Sequence, residues 1–588
     1  MATFQVWAPF ARERVEVELT HSTVPMERSA GGWWTARVPG AGHGTAYSFR
    51  LDGGEPRADP RSRWQPAGVA GPSAVYDHDR FEWGDGHWRG TPLAGAVGYE
   101  LHVGTFTPEG TFAAAIQRLD HLAALGVTFV EVMPVAAFGG QHGWGYDGVG
   151  LYAVHEAYGG PDGLKAFVDA CHSRGLGVCL DVVYNHLGPA HNYLSEFGPY
   201  FTDKYATPWG RAVNLDDAGS DEVRRFVVDN AIGWFRDFHL DALRVDAVHA
   251  LHDERAVHIL EVLSDEVDAA STTLGRPLWL IAESDRNDPR TVTPREAGGF
   301  GVHAQWDDDV HHALHALLTG EREGYYADFG SLAALAKTLT RAFFHDGTWS
   351  SFRGRTHGRQ VDVERTPAWR FVVALQNHDQ VGNRAAGDRI SATLSDDLLA
   401  VGAGLLLTSP FTPMLFMGEE WGARTPWRFF TDFEEPALAD AVRQGRRAEF
   451  AAYGWNPADV PDPQDPATFE ASKLDWAEPE KEGAARLLRW YTALVRLRRE
   501  LPDLADPRLY RVGVSYDEDA RWLSIRRGAV GVVANLADRP AQVPLDGSID
   551  RSVGHNGVLL AWHPRTPPPD TDRIELPAHS LAILGLAR

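Results

Sequence analysis

The sequence predicts an α/β protein: a (β/α)8 TIM barrel preceded by a β-sandwich and followed by a small all-β domain. Three observations carry this expectation. Period-two alternation fills the opening ninety residues, short apolar runs alternate with amphipathic stretches from about residue 96, and strand-like alternation returns after Arg499. At 588 residues the chain is too long for one ordinary domain, and the shifts in pattern divide it at 1–90, 91–500 and 501–588.

In the first segment Phe4 and Val6, then Val15, Val17 and Leu19, then Tyr47, Phe49 and Leu51 alternate between Gly- and Pro-rich turns, as strands of an antiparallel sandwich do. Residues 84–95 read as a linker. Eight candidate strands follow at 97–103, 128–134, 177–183, 240–245, 278–282, 301–306, 371–375 and 413–416, a count that suits a closed barrel. Between them, 111–126 carries Phe112, Ile116, Leu119, Leu122 and Leu125 at helical spacing and ends on Gly126, and 162–175 repeats the pattern. The stretch 187–221 is a short insertion after the third strand. Beyond residue 500, Trp522, Leu523 and Ile525, then Val530, Val532 and Val533, then Ile574, Leu576, Leu581 and Ile583 mark the C-terminal strands.

Composition narrows the function. Acidic residues outnumber basic ones 80 to 56, a net charge of −24, so no field attracts phosphate backbones or anionic lipid, and nucleic acid is not an expected partner. The opening MATFQVWAPFARERVEVEL lacks a basic stretch followed by an apolar one and a small-residue cleavage site, which predicts a cytoplasmic location. The apolar run 398–418 is interrupted by Ser409, Pro410, Thr412 and Pro413, so a buried helix followed by a strand explains it better than a membrane span. The two cysteines, Cys171 and Cys179, fall in a helix and the next strand and read as buried thiols, not a disulfide framework. Twenty tryptophans and sixteen tyrosines offer flat faces for sugar rings, although most belong to the core.

In such barrels the loops after the strands' C-terminal ends form the active site, so charged residues just beyond an apolar run invite a catalytic reading. The third strand runs into Asp181, Asn185 and His186 within Asp-Val-Val-Tyr-Asn-His. The fourth ends Ala-Leu-Arg-Val-Asp-Ala, and the strand period points Arg244 and Asp246 to one side, where the guanidinium favours the ionised carboxylate that a glycosidic nucleophile must be. The fifth ends Leu-Ile-Ala-Glu, where apolar neighbours are expected to keep Glu283 protonated as a general acid that later acts as base. The seventh ends Gln-Asn-His-Asp-Gln, leaving His378 and Asp379 to bond sugar hydroxyls and support substrate distortion. A strand-end ion pair or helix cap explains any one of these motifs as well; it does not explain four in this order.

With these motifs the chain resembles the α-amylase superfamily across the barrel. The resemblance implies Asp246 as nucleophile, Glu283 as acid/base and Asp379 as third carboxylate, with Arg244, His186 and His378 touching the nucleophile or the sugar, and Asp181 and Asn185 in support. It implies a retaining mechanism with nucleophile and acid/base about 5 Å apart. Val-Trp-Ala-Pro at 6–9, Leu-Asp-Gly at 51–53 and Asp-Pro at 59–60 resemble the sandwich that precedes the barrel in branching and debranching enzymes. The segments 100–110, 143–148 and 306–312 are similar to those of a trehalose-releasing subgroup of the superfamily. That likeness implies cleavage of the α-1,4 bond beside the terminal trehalose of malto-oligosyltrehalose, no cofactor, and a malto-oligosyltrehalose synthase as pathway partner. Loops after strands two, six and eight would then shape a closed pocket with Trp144, Tyr146, Asp147, Asp308, Glu420, Trp421 and Phe430, Tyr146 resembling a stacking platform. Where many α-amylases carry Lys-His after the nucleophile, this chain has His249 and Ala250, which argues against ordinary maltooligosaccharide binding there. His311 and His315 lie at i,i+4 but lack a third ligand of suitable spacing, and 187–221 is short beside a calcium-binding insertion, so no metal is expected. The rival readings are a glucan branching transferase, an α-1,6 debranching hydrolase, which the 143–148 loop disfavours, and a non-catalytic glucan-binding protein, which three intact carboxylates disfavour.

Overall fold

The computed structural model describes residues 1–451, 460–564, 566–570 and 572–587. Eight parallel strands close a barrel: β1 Gly98–Leu101, β2 Phe129–Val132, β3 Gly177–Val182, β4 Ala242–Val245, β5 Trp279–Ala282, β6 Ala304–Trp306, β7 Phe371–Ala374 and β8 Thr412–Phe416, with β8 pairing back to β1. Each is a short run, buried on both faces except at Trp279, as strands wrapped by helices must be. Register decides which side chains look inward. Glu131 on β2 is level with Glu100 on β1 and Cys179 on β3, and Asp181 is level with Arg244. Below this charged layer Phe129, Cys179, Ala242, Ile281, Ala304, Val372 and Met414 pack as one apolar cluster.

Local signals set the helix ends. Asp307 accepts from the Asp309 N–H to cap Asp308–Thr319, which stops at Gly320 with φ 81°. The helix expected over 111–126 is two pieces, Phe112–Ile116 and Leu119–Leu125, because the Gln117 N–H tightens onto both the Ala114 and Ala115 carbonyls. The apolar run divides into helix Asp396–Leu407 and strand β8, and among the described residues no helix is long and apolar enough to cross a membrane. Both cysteines are free and buried.

The N-terminal strands form two antiparallel sheets, one of Ala2–Trp7, Trp33–Val38 and Glu27–Arg28, the other around Val15–Leu19 and Ala46–Leu51, with Phe4, Val6, Val15, Val17, Tyr47 and Phe49 inward. At the other end a five-stranded sheet from Val512–Asp517 to Ser580–Gly585 packs on Asp396–Leu407. Arg527 from this sheet and Arg498 from helix Glu482–Glu500 insert beneath it, donating to the carbonyls of Thr408 and Ser409 at 2.9 and 2.7 Å.

The stretch read as a linker, 84–95, is instead the barrel's floor. Trp88 stacks on His172 at 4.4 Å and donates to Asp241 at 2.8 Å, while His172 bridges Asp85 and Asp241 at 2.9 Å each. Leu93, 2% exposed, closes the apolar cluster from below. Its aromatic and apolar residues, unusual in a solvated connection, are the cause. Leu93→Ala therefore costs about 2–4 kcal/mol in denaturant unfolding, because the floor cannot collapse around the void; a loss under about 0.5 kcal/mol would mean that the segment does not seal the barrel.

Candidate active site

The strand ends converge on one guanidinium. Arg244 is fully buried; its Nη1 donates to Asp181 Oδ2 at 2.7 Å and Asp246 Oδ1 at 2.9 Å, and its Nη2 forms an ion pair with Glu283 Oε2 at 3.1 Å. The Trp306 ring supports it from 4.3 Å. Burial works against its charge, but Asp181 and Glu283, with Asp246, hold the guanidinium protonated even more firmly than in water. The other oxygen of Asp246 accepts from Asn185 Nδ2 at 2.6 Å, so the nucleophile candidate is fixed from two strands.

The turn after β4 carries Ala247 in the left-handed region, φ 41°, and this turns its N–H onto Glu283 Oε2 at 2.6 Å. Glu283 thus does not stand among apolar neighbours as expected: its carboxyl reaches past the apolar end of β5 to the polar edge of β4.

His378 and Asp379 follow β7. Glu100 takes the His378 backbone N–H at 2.9 Å and its Nδ1 at 2.5 Å, while Nε2 faces Tyr146 Oη at 2.7 Å and Asp379 Oδ2 at 3.4 Å. Tyr146 donates to Asp181 at 2.7 Å and stacks on His378 at 5.2 Å. Burial opposes the His378 charge, yet Asp379 and Glu100 raise it to about 10. His186 contacts the Tyr146 carbonyl at 3.0 Å and lies under Trp209. Burial pushes Asp147 up to about 6; burial, with Glu283 and Asp379 nearby, pushes Asp308 up to about 7.

The structure therefore groups Asp246, Glu283, Arg244, Tyr146, His378 and Asp379, with Asn185 and Asp181 behind them and His186 and Asp308 at the flanks. It does not bring Glu420, Trp421 or Phe430 to the cleft. After β8 the chain turns at Gly418, φ 85°, back into the barrel wall. There Glu420 accepts from Tyr99 at 3.1 Å and contacts His121 at 2.8 Å, and Trp421 donates to Glu478 at 3.3 Å. Phe430 is wholly buried against His102 and Trp427, and Trp144 stacks on Trp427 at 4.5 Å, behind the cleft and edge-on to His378. His311 stacks on His315, which binds Glu321 at 2.8 Å; among the described residues no group of three His, Cys, Asp or Glu is arranged to hold a metal.

Sequence reasoning missed Glu100, a charged residue inside an apolar strand and so findable. It also missed Trp209, Tyr325 and Phe352, whose rings are exposed. On the Glu283 side a pocket is lined by Ser284, Asp285, Asp308, Tyr325, Phe352 and Arg353. A larger cavity of about 900 Å³, lined by Gln65, Phe138, Asn192 and Tyr193, lies between the N-terminal segment and the loops after β2 and β3, and none of the three carboxylates lines it.

A closed (β/α)8 barrel with three carboxylates gathered at its mouth, two of them on one guanidinium, defines a glycoside hydrolase of the α-amylase type. Residues 75–207 match the model of the alpha amylase catalytic domain, and 507–583 a domain of unknown function (DUF3459). The chain is 56% identical to the malto-oligosyltrehalose trehalohydrolase of Arthrobacter ramosus, covering 95% of each, and 51% identical to that of Rhizobium sp. (strain M-11), covering 99% of this chain and 97% of the relative. A solved structure from Salmonella typhimurium, described as an alpha amylase, matches with a TM-score of 0.90 at 39% identity, covering 100% of this chain and 97% of that one. The chain belongs to the malto-oligosyltrehalose trehalohydrolase family.

Asp308 supplies a test of these electrostatics. Its folded pKa lies above its unfolded value of about 3.9, so it is neutral in both states in strong acid and costs stability increasingly as pH rises toward 7. Asp308→Asn gains roughly 1–3 kcal/mol at about pH 8 and nothing at about pH 3. Equal melting shifts at both pH values would show that Asp308 is not held neutral.

Proposed function

We propose that the protein hydrolyses the α-1,4 bond next to the terminal trehalose unit of malto-oligosyltrehalose, releasing trehalose and a maltooligosaccharide with retention at the anomeric carbon. Asp246 attacks that carbon while Glu283 protonates the departing trehalose oxygen, giving a covalent glycosyl-enzyme. Glu283, now ionised, takes a proton from the water that enters, and the hydroxide displaces Asp246. Asp379, with the positive His378 behind it, holds hydroxyls of the distorted ring and faces the positive charge that develops on it. On this reading a cytoplasmic synthase supplies the substrate.

The observation that carries the reading is the shared Arg244 guanidinium. Asp246 on Nη1 and Glu283 on Nη2 are drawn together, in keeping with the spacing of about 5 Å that a covalent intermediate requires. The leaving-side pocket supports the trehalose assignment: Tyr325 and Phe352 offer apolar faces, while Asp285, Asp308 and Arg353 offer donors and acceptors for a compact disaccharide.

Incubation with malto-oligosyltrehalose, plain maltooligosaccharides and amylose, followed by chromatography, is expected to yield non-reducing trehalose from the first alone. New α-1,6 branches on amylose without free trehalose would establish a branching transferase instead. Asp246→Ala is expected to lose about three orders of magnitude or more in kcat. Glu283→Gln is expected to lose comparably on the natural substrate but far less on a glycosyl fluoride, whose leaving group needs no proton; equal losses on both would remove Glu283 from the acid role.

A further inference from the structure

We propose that Glu100 is a positioning residue: from inside β1 it fixes His378 as a doubly protonated imidazolium and thereby sets the direction of the hydrogen bonds that run to the nucleophile. The inference deepens the reading above and rests on the roles given there to Asp246 and Asp379.

The argument is a count of hydrogens. Glu100 and His378 are each 1% exposed at the side chain, and the Glu100 carboxylate accepts the His378 backbone N–H on one oxygen and meets Nδ1 on the other. A carboxylate has nothing to donate, so Nδ1 carries a hydrogen. Nε2 lies 2.7 Å from Tyr146 Oη, and above about pH 7, where Asp181 is ionised, the hydrogen of that hydroxyl is given to Asp181 Oδ2. The hydroxyl oxygen is left to accept, and Asp379 beside it can only accept, so Nε2 carries a hydrogen too. Both ring nitrogens are donors, which is the cation.

With Asp181 ionised, the order follows. His378 donates to Tyr146, Tyr146 to Asp181, and Arg244 to both Asp181 and Asp246. A neutral His378 with a bare Nε2 would instead draw the tyrosine hydrogen to itself and release Asp181. The other groups around the ring fit this state. Burial and the Glu100 charge push Glu131, level with Glu100 in the barrel, up to about 8, so Glu131 is neutral at pH 7 and only Glu100 of this pair answers the imidazolium. Burial drives His102 down to about 3, leaving it uncharged, and Arg244 stands across the layer as the other cation.

Glu100→Gln keeps the shape and removes the anion. Turnover of malto-oligosyltrehalose is expected to fall at least tenfold in kcat with KM changed less than about threefold. The alkaline limb of the profile is also expected to move to lower pH: a His378 no longer held near 10 loses its proton earlier as pH rises, and the rate declines with it. Because Glu100 acts through His378, Glu100→Gln adds no further loss in a His378→Asn background. A Glu100→Gln enzyme with wild-type kcat and pH profile, or a loss that adds in full to His378→Asn, overturns the proposal. Should Glu100→Gln fold poorly, the wild type answers directly: an imidazolium 15N signal at about pH 8, present in the wild type and missing from His378→Asn, is expected, and a neutral-imidazole signal in its place overturns it. Failure of the wild type to release trehalose would count against the function proposed above; an active wild type with an indifferent Glu100→Gln counts against this inference alone.

Discussion

A guanidinium sealed inside the barrel, answering three carboxylates from three consecutive strands, is the interaction on which the site depends. Charges buried in a medium of low dielectric are tolerated only when paired, and removing one partner leaves the others uncompensated at a cost of several kcal/mol. Arg244 gathers Asp181, Asp246 and Glu283, so the carboxylates at the ends of β3, β4 and β5 are held by one side chain. A lysine, a point charge on a flexible stem, could not direct separate nitrogens at separate carboxylates. The Trp306 face beneath the plane keeps it from turning.

Around that cation the site manages an excess of acid by deciding which carboxyls ionise. Burial holds Glu131 and Asp308 at or above neutrality, and Asp181 is pushed up to about 7 against the pull of Arg244. Burial thus limits how much of the acid packed around the cation is ionised at neutral pH. The overall charge of −24 says nothing of this local arrangement, which is a property of contacts.

What could be read from the chain follows from how local the cause is. The barrel strands were legible because each is an apolar run, and Asp246, Glu283 and Asp379 because each lies within a few residues of such a run's end. Glu420, Trp421 and Phe430 were misplaced because adjacency to a strand end does not decide which way the loop folds; Gly418 does, through its backbone angle. The Glu283 environment was misjudged for a related reason: its neighbours in space come from β4, not from its own strand. Glu100 acquires its meaning only from His378, 278 residues away in sequence. Exposed rings such as Trp209 and Phe352 carry no periodic signal, since nothing in the core requires them.

The floor built by 84–95 bears on how the molecule can be divided. Because Trp88 and Leu93 precede the first strand yet lock onto Asp241 and Ile281, the barrel's underside is finished by chain that joins it to the sandwich. Its contacts with Asp241 and Ile281 reach about 150 to 190 residues along the chain, so closure of the base is a long-range event. The segment that leaves the N-terminal sandwich therefore belongs to the barrel: a barrel cut near residue 90 would lose Asp85 and Trp88 from its base.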